Sequence, residues 1–329
     1  MALLQRLLHL TNFSSPLLRT AVPAVGTAFA IQAAFAVPSI AAQSERFYDF
    51  SGALTHISVV ALSLYLPALR ARYAGGAAAM AKPLPSLLAP FTNPASAALN
   101  WRQVALTVAV CVWAARLGTY LFQRVLQQGQ DSRFEEIKKS PPKFFVAWMA
   151  QATWCSLICL PVVALNAVPA GVLATALPAG VRVTDVLGIA LWVGGITTEV
   201  VADRQKAKWL REKQEKKHEE DFLTRGLWGR SRFPNYFGES TLWTGLATTA
   251  AGVLVNPAVQ ASLGLGGGAA GIAGALALAY VSPLFTTFLV TQVSGIPLSE
   301  NKYDKRYGNR KDYQEWKKNT PRFFPKIFS

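Results

Sequence analysis

Charge, cysteine and histidine are all scarce in this chain of 329 residues. Asp, Glu, Lys and Arg make up 16% of it, whereas they account for about a quarter of an ordinary soluble domain. Three cysteines are too few for a disulfide-stapled secreted domain. The 51% of apolar residues excludes a disordered chain, and 24 glycines are too few for a collagen. Composition therefore points away from the soluble and fibrous classes.

The motifs of two common binding sites are also missing. No glycine-rich strand–turn–helix sequence of the kind that cradles phosphate is present, so a soluble-type dinucleotide domain is not expected. The only histidines are His9, His56 and His218, and they do not fall at metal-ligand spacing. Cys155 and Cys159 share a helix face at i, i+4, but two thiols without histidine or carboxylate neighbours favour packing. The sequence predicts no metal site.

Apolar runs of membrane-spanning length are abundant instead. A helix needs about 20 mostly apolar residues to cross the hydrocarbon core, and seven runs of this kind can be drawn. They are Ala21–Ala42, Ser51–Leu69, Gln103–Phe122, Phe144–Ala167, Val183–Ala202, Tyr236–Val255 and Gly268–Val293. The seventh is long enough to tilt or break near Pro283. The sequence therefore predicts an all-α, polytopic integral membrane helix bundle with about seven transmembrane helices.

The positive charge is divided unequally by these seven runs. Lys and Arg number 33 against 18 Asp and Glu, an excess that in a soluble protein would suggest nucleic acid. However, 25 of the 33 cations lie in the loops 43–50, 123–143 and 203–235 and in the tail after Pro297. By the positive-inside rule the carboxyl terminus is cytoplasmic and the amino terminus is outside or lumenal. The membrane is expected to be the endoplasmic reticulum if the source is eukaryotic and the inner membrane if it is bacterial, with no nucleic-acid partner.

The amino terminus needs an interpretation of its own. The first 20 residues carry Arg6 and Arg19 and no acidic residue, so they are either a targeting presequence or the flank of the first membrane helix. The apolar run that follows is too long for a signal-peptide core, which favours the flank. We divide the chain into residues 1–45, which hold this flank and the first helix, and residues 46–329, which hold the membrane domain.

Ionisable side chains inside the apolar runs are informative, because a charge in hydrocarbon is costly and usually functional. Arg116, Tyr120 and Arg124 follow one another at i, i+4 and i+8, so they share one helix face near the cytoplasmic end. Glu199 lies in the fifth run, and Asp203 follows one turn later on the same face, near the cytoplasmic boundary. Arg116 and Glu199 either form a buried ion pair that locks two helices or belong to a polar cavity that opens to the cytoplasm.

Two cytoplasmic segments combine arginine with aromatic residues. Residues 204–217 alone are typical of a solvated helix extension or of a lipid-headgroup contact. They lead into residues 224–239, where three arginines, aromatic residues and glycine turns directly precede the sixth run. Arginine suits phosphate through its planar fork of donors, and aromatic rings suit a flat base by stacking. The basic aromatic tail after residue 300 is a second cluster, although on its own it would also suit anionic lipid.

Four short motifs carry a resemblance to a known family. They are Ser231-Arg-Phe-Pro-Asn-Tyr-Phe-Gly-Glu239, Gly226-Leu-Trp228, Ser294-Gly-Ile-Pro-Leu-Ser-Glu300 and Arg306-Tyr-Gly308. Together they resemble the DUF1295 membrane proteins, over about residues 46–328. These proteins belong to the steroid 5-alpha-reductase-like group, which includes sterol reductases and, more distantly, isoprenylcysteine carboxyl methyltransferases. In such reductases seven or more helices enclose a cavity where NADPH lies near the cytoplasmic side and a lipid enone enters from the bilayer.

The resemblance implies which residues contact NADPH. Asn235 and Glu239 correspond to a pair beside the nicotinamide half, and Arg225, with Arg211 as a second candidate, corresponds to an arginine that holds cofactor phosphate. Arg124, or Arg116, corresponds to an arginine on the central cofactor-facing helix. The complete implied set is Arg116, Arg124, Glu199, Asp203, Arg211, Arg225, Trp228, Arg232, Asn235, Tyr236, Glu239, Glu300, Tyr303 and Tyr307.

This chain departs from the group's pattern at several positions. Phe233 stands where many relatives have histidine, which tells against the methyltransferase branch. Glu199 stands where the steroid enzymes have asparagine, and their early carboxylate has no counterpart here. Tyr120 is placed as the tyrosine that polarises the enone oxygen. His56 is either a substitute proton donor or a histidine that bonds a neighbouring helix.

The resulting prediction is an integral membrane oxidoreductase that uses NADPH to reduce a carbon–carbon double bond of a lipid or steroid-like enone. Its partners are a lipid-soluble small molecule and membrane lipid. One alternative is a methyltransferase that uses S-adenosylmethionine on a lipid or prenylated acceptor. A second alternative is a non-catalytic lipid-binding protein of the same fold.

Overall fold

The computed structural model describes residues 2–94, 97–128, 131, 133–177 and 180–326. Within these ranges every regular element is a helix, which confirms the all-α prediction. In chain order the α-helices are α1 (Ala2–Leu10), α2 (Pro16–Ala41), α3 (Tyr48–Ala74), α4 (Gly76–Met80), α5 (Ala89–Thr92), α6 (Trp101–Gln128), α7 (Pro141–Asn166), α8 (Ala170–Ala176), α9 (Val183–Gln214), α10 (Leu227–Arg230), α11 (Pro234–Leu254), α12 (Pro257–Leu263), α13 (Gly268–Phe288), α14 (Ile296–Tyr307) and α15 (Lys311–Asn319). A 3₁₀ turn spans Ile137–Lys139 and a π-helical turn spans Leu289–Val293.

The predicted transmembrane helices are present. Among the described residues, six helical segments are long and apolar enough to cross a membrane, and a bent pair raises the number to seven if it is one span. The six begin at Pro16, Tyr48, Trp101, Pro141, Val183 and Gly268. The pair consists of α11 and α12, which meet at 94°. The prediction of about seven spanning helices is therefore confirmed, and the orientation of the termini stays a prediction.

Two helix ends differ from the apolar runs. The fifth run ends at Ala202, but α9 continues to Gln214 because residues 203–214 are rich in Lys, Arg, Gln and Glu, which favour helix. The seventh helix does not break near Pro283. It continues through that residue, passes into the π-helical turn, and the chain turns only at Gly295, whose φ of +50° suits glycine.

The chain divides into two compact units, and each is described by itself. The first consists of residues 1–182 and 249–281, and the second of residues 183–248 and 282–329. This division is independent of the boundary at residue 45 that the sequence suggested, and that boundary stays a prediction.

In the first unit, α2, α3, α6 and α7 pack against one another. α3 and α6 approach so closely at Gly118 that an added Cβ would lie 2.4 Å from a side chain of α3. Polar side chains bond across the helices. Gln32 Nε2 donates to Thr55 Oγ1 at 2.8 Å, and Asn166 Nδ2 donates to Ser63 Oγ at 2.9 Å. Close backbones and interhelical hydrogen bonds are the forces that hold helices together in lipid, where the hydrophobic effect does not distinguish a neighbour from a lipid tail.

Helix α1 is an element that the apolar runs did not reveal. Arg70 of α3 fixes its carboxyl end, because Nη1 donates to Leu8 O at 2.7 Å and Nη2 donates to Thr11 O at 3.0 Å. The apolar side chains of Leu7 and Leu10 are 50% and 75% exposed. A short amphipathic helix of this kind is typical of the membrane interface. The choice between a flank and a presequence for this region stays a prediction.

In the second unit, α9 and α11 pack backbone against backbone at glycines. A Cβ added to Gly195 would lie 2.4 Å from Leu242 N, and one added to Gly238 would lie 2.7 Å from Glu199 N. Two helical turns after Gly238, a Cβ added to Gly245 would lie 2.4 Å from the backbone of α9. Such close approach is possible only because glycine has no side chain.

The tail of the second unit returns to the segment that precedes α11. Arg232 N donates to Pro321 O at 2.9 Å, and Lys326 N donates to Arg230 O at 3.0 Å. Ser231 Oγ adds a bond to Phe323 O at 2.9 Å. These bonds hold residues 320–326 alongside residues 230–232 and so fix the position of α14 and α15, which come before them in the chain.

Candidate functional site

A narrow cleft in the second unit is the strongest candidate site. Its walls come from three parts of the chain: the carboxyl-terminal part of α9, the segment that leads into α11, and the helices α14 and α15. The lining residues are Lys206, Trp209, Phe222, Leu223, Trp228, Arg232, Phe233, Ser299, Glu300, Tyr303, Tyr313 and Trp316. Its free volume is about 30 Å³, far below the roughly 300–1,000 Å³ of pockets that hold small-molecule ligands. A larger ligand therefore requires a wall of the cleft to move.

Aromatic rings form most of this wall. Phe222 lies at the centre, with ring centroids 5.3 Å from Tyr313, 5.2 Å from Trp316 and 5.9 Å from Tyr307. These distances lie in the range of favourable edge-to-face and offset contacts. Tyr303 packs against the same cluster. The cleft therefore offers flat apolar surfaces of the kind that accept a planar ring.

Cations lie over several of these rings. The Lys206 ammonium is 5.1 Å from the Trp228 ring centroid, and the guanidinium of Arg310 is 5.8 Å from that of Phe222. A cation over a ring face is attracted by the ring quadrupole. The cleft lining includes two cationic side chains, Lys206 and Arg232, next to these aromatic rings.

The turn before α10 holds Trp228 in position. Trp228 Nε1 donates to Ala202 O at 3.0 Å, and Leu227 N donates to Gln205 Oε1 at 2.9 Å. Gly226 has a φ of +64°, and a Cβ there would lie 2.6 Å from Gln205. Glycine is therefore required at this turn, which explains the Gly-Leu-Trp motif structurally.

Arg232 and Arg322 share one carboxylate. Arg232 Nη1 is bonded to Glu300 Oε1, and Arg322 Nε lies 3.0 Å from Glu300 Oε2. Arg232 Nε also donates to Thr320 O at 3.2 Å, and Arg322 Nη2 donates to Thr291 O at 3.2 Å. Two guanidinium groups on one carboxylate leave this trio with an excess of one positive charge.

Partly exposed ion pairs also hold α15 in place. Lys317 Nζ donates to Asp304 Oδ1 at 2.6 Å, and the Tyr313 hydroxyl donates to the same atom at 2.8 Å. Burial raises the pKa of Tyr313, so the hydroxyl keeps its proton and remains a donor. Asp221 is bonded by Lys213 at 3.0 Å and by Arg310. The hydrogen bonds from Lys213 and Arg310 hold the pKa of Asp221 below its usual range.

Replacing Asp221 by asparagine should remove a pH-dependent part of the stability of this network. A carboxylate whose pKa is lowered by folding stabilises the protein above its unfolded pKa, about 3.9, and that stabilisation is lost as the pH falls through the folded value. We expect the thermal midpoint in detergent to fall by about 1–3 °C in Asp221→Asn at pH 6. The difference from the wild type should shrink as the pH falls below about 4 and vanish only once the pH is below the folded pKa of Asp221. Glu219→Gln, an exposed neighbour, is the control, and a difference that does not shrink between pH 6 and pH 3 contradicts the assignment.

Four of the residues implied by the family resemblance line this cleft, namely Trp228, Arg232, Glu300 and Tyr303. Tyr307 is buried in the adjoining aromatic cluster. The two arginines that the resemblance assigns to cofactor phosphate, Arg225 and Arg211, lie elsewhere in the unit. Arg225 is 52% exposed and pairs with Glu212 at 3.5 Å and Glu220 at 3.3 Å, outside the lining, and Arg211 is exposed on α9.

The remaining residues of that set in the second unit lie on α9 and α11. Glu199, Asp203 and Glu239 are 3%, 7% and 9% exposed, so three carboxyl groups are buried within or directly beside the predicted membrane-spanning runs. Asn235 Oδ1 is buried without a hydrogen-bond partner. Tyr236 packs its ring against Gly295, where a Cβ would lie 2.9 Å from the ring.

Four of the sequence-predicted site residues belong to the first unit. Arg124 lies 3.5 Å from Asp131 in an ion pair, and Arg116 and Tyr120 are half-buried on the same helix. His56 is 1% exposed, with Nδ1 donating to Gly52 O at 2.6 Å within its own helix. The Gly52 bond lies within α3, and both interpretations of His56, as a proton donor or as a histidine that bonds a neighbouring helix, stay predictions.

The surroundings of His56 correct the description of Cys155. Cys155 Sγ lies 3.6 Å from His56 Nδ1, so this thiol does have a histidine neighbour. Trp113 and Trp154 close the group, with ring centroids 5.2 and 4.9 Å from that of His56. Among the described residues, no group of three His, Cys, Asp or Glu side chains could hold a metal ion.

Sequence reasoning missed several residues of the cleft, among them Lys206, Trp209, Phe222 and Trp316. Their signal is weak because each belongs to a charged or aromatic segment that has many similar positions. The Trp316 side chain is notable because Nε1 is buried and has no hydrogen-bond partner. An indole N–H in a cleft wall favours a ligand that brings an acceptor.

The family comparison covers most of this region. The model of a family described as "Protein of unknown function (DUF1295)" matches residues 77–265 and 268–320. The chain belongs to the DUF1295 family. The resemblance drawn from the four motifs is thereby confirmed at the level of the family. No curated protein and no solved structure matches the chain. Every residue that lines the cleft falls within the part that matches DUF1295, and Arg322 lies just beyond it.

Proposed function

We propose that this DUF1295 protein is an integral membrane oxidoreductase that uses NADPH to reduce a carbon–carbon double bond of a lipid or steroid-like enone. The observation that carries the proposal is the cleft of the second unit, where aromatic rings and cations line one space. Aromatic faces suit the flat rings of a dinucleotide, and Lys and Arg suit its phosphates. The resemblance of the motifs to sterol reductases supports the same chemistry.

The residues present fit such a cofactor. Lys206 and Arg232 would hold phosphate oxygens, and Trp228 and Tyr303 would contact a ring. The Asn235 Oδ1 atom, buried without a partner, would accept a hydrogen bond from an amide such as the one on nicotinamide. NADPH, when bound, supplies the hydride. The protein supplies orientation, donors for developing negative charge and exclusion of water.

Entry of the cofactor requires motion of the tail, because the free volume of the cleft is about 30 Å³. Helix α15 provides two of the lining rings, Tyr313 and Trp316. Ion pairs such as Lys317–Asp304 hold it, with the Lys317 and Asp304 side chains 33% and 41% exposed. Exposed pairs contribute little stability each. Opening of the tail therefore costs mainly the aromatic packing of Tyr313 and Trp316 against Phe222.

Two polar side chains of the first unit stay candidates for the chemistry on the substrate. Tyr120 and His56 are the candidates for polarising the substrate oxygen and for supplying a proton. His56 Nδ1–H is bonded to Gly52 O, so His56 can donate a proton from Nε2 only when both ring nitrogens are protonated. By charge distribution the cleft faces the cytoplasm, where NADPH is present.

Titration of the purified full-length chain in detergent with NADPH and, separately, with S-adenosylmethionine tests the proposal. We expect NADPH to bind and to raise the unfolding free energy by about 2.7 kcal/mol at 100 times its dissociation constant. Lys206→Met should weaken NADPH binding by about tenfold or more, since a charge-assisted contact to phosphate is lost. Lys208→Met is the matched control, because Lys208 is 68% exposed on the same helix and pairs with Glu212 at 3.7 Å.

Three results decide between the candidate functions. No NADPH binding at near-millimolar concentration removes the reductase proposal. Binding of S-adenosylmethionine instead assigns the methyltransferase alternative. If neither cofactor shifts the unfolding transition, the protein is a lipid-binding member of the fold without this catalysis.

A further inference from the structure

The Arg232–Glu300–Arg322 trio is built like an occupied anion site. Each oxygen of the Glu300 carboxylate faces a different arginine, one from the segment before α11 and one from the tail. Arg232 and Glu300 line the cleft and are 11% and 16% exposed, so the pair is largely removed from water. Two arginines converging on one small anion is the arrangement that proteins use to bind phosphate.

The charges of the trio favour a larger anion than a carboxylate. Arg232 and Arg322 carry two positive charges and Glu300 carries one negative charge, so one positive charge is left over within the trio. A phosphate group carries about −1.5 to −2 at pH 7 and has three acceptor oxygens. It could therefore engage both guanidinium groups at once and balance them more completely than Glu300 does.

A further donor in the same cleft supports this interpretation. Trp316 Nε1 is buried without a hydrogen-bond partner, and Lys206 also lines the cleft. An anion is an acceptor only, so it matches a wall that presents an indole N–H, an ammonium and the Arg232 guanidinium, with Arg322 on the other side of the Glu300 carboxylate. The Glu300 carboxylate uses only the two arginines in the contacts described above.

We propose that Arg232 and Arg322 form a binding site for a phosphate or diphosphate group, and that Glu300 masks this site until the anion displaces it. Arg322 thereby becomes a ligand-binding residue that the motifs do not indicate. Glu300 acts as an internal competitor. This inference deepens the proposed function, because the phosphates of NADPH would use the same arginines. Its test, however, does not depend on reduction.

The test measures binding of inorganic pyrophosphate to the full-length protein in detergent by calorimetry, at fixed low ionic strength because such contacts are screened by salt. Glu300→Gln keeps the shape of the side chain and removes its charge. We expect it to lower the pyrophosphate dissociation constant at least about tenfold, which corresponds to about 1.4 kcal/mol. In the Glu300→Gln background, Arg322→Gln should abolish that gain.

Glu215→Gln is the matched control, because Glu215 pairs with Lys217 on the surface and does not line the cleft. It should leave the dissociation constant unchanged. If Glu300→Gln binds pyrophosphate as weakly as the wild type or more weakly, the masking role of Glu300 is overturned. If Glu300→Gln does not fold, Glu300→Asp serves instead, since it withdraws the carboxylate by one methylene. It should also lower the dissociation constant, and an unchanged or higher value overturns the proposal.

A displacement experiment with two possible outcomes identifies the source of the phosphate. Displacement of pyrophosphate by dioctanoyl phosphatidic acid, with dioctanoyl phosphatidylcholine as control, assigns the site to a lipid headgroup. Lack of displacement assigns it to a soluble phosphate compound. Tight pyrophosphate binding by Glu300→Gln in a protein that does not bind NADPH would keep this inference and remove the proposed function.

Discussion

Replacing Gly195 by alanine should destabilise the second unit, whereas the same change at Gly194 should not. A Cβ on Gly195 would lie 2.4 Å from Leu242 N and 2.7 Å from Gly238 O. Both are backbone atoms, so no side chain can turn away and the two helices must separate. A Cβ on Gly194 would meet nothing within 4 Å. There the gain in helix propensity should instead stabilise by up to about 1 kcal/mol.

We expect Gly195→Ala to cost about 1–3 kcal/mol or more, the range of overpacked cores. The measurement is the unfolding transition of the purified protein in detergent, compared between the two neighbouring variants. Gly238→Ala should behave like Gly195→Ala, because its Cβ would lie 2.7 Å from Glu199 N. The double variant should cost less than the sum, since one separation of the helices relieves both clashes. Equal transitions for Gly194→Ala and Gly195→Ala would refute the backbone contact.

Gly194 and Gly195 also show which features of the fold the sequence predicts and which it does not. Membrane-spanning helices could be predicted because the length and apolarity of a run are local properties of the chain. Gly194 and Gly195 look alike in the sequence, since both lie inside the fifth apolar run. Which of them faces α11 depends on the rotation of one helix against another, and a single sequence does not encode that rotation in a readable way.

The two arginines Arg225 and Arg232 before α11 also show that the sequence alone does not determine which residues form the site. Arg225 and Arg232 stand in one short segment and have the same chemistry, so the sequence offers no means of ranking them. In the structure Arg225 pairs with Glu212 and Glu220 outside the cleft, while Arg232 lines the cleft and pairs with Glu300 there. The difference arises from where the chain turns at Gly226, whose positive φ separates the two arginines.

Contacts between distant parts of the chain were the least predictable. The cleft is closed by residues such as Tyr313 and Trp316, about a hundred positions after its α9 wall. The tail is then held by Ser231 Oγ donating to Phe323 O, a pair 92 residues apart. The basic aromatic composition of the tail indicated a binding surface, but it did not indicate that this surface is folded back onto the segment before α11.

Replacing Tyr313 by alanine should release α15 from the second unit. Tyr313 is 2% exposed, and its ring lies 5.3 Å from Phe222 and 5.7 Å from Trp316 between centroids. Truncating a buried aromatic side chain to alanine typically costs about 3–5 kcal/mol. Because about 1.4 kcal/mol corresponds to a factor of ten, amide hydrogen exchange in residues 311–326 should accelerate by about a hundredfold or more. Peptide-resolved exchange by mass spectrometry measures this directly.

Tyr313→Phe separates the ring from the hydroxyl. It keeps the aromatic contacts and removes only the hydrogen bond to Asp304, which Lys317 continues to satisfy at 2.6 Å. A single hydrogen bond contributes about 1 kcal/mol, so exchange should accelerate by less than about tenfold. Equal acceleration in the two variants would show that the hydroxyl, and not the aromatic cluster, holds the tail. If α15 closes over NADPH, saturating cofactor should slow exchange of the same amides in the wild type and in Tyr313→Phe. Tyr313→Ala should show no such protection, because the wall that meets the ligand is no longer docked.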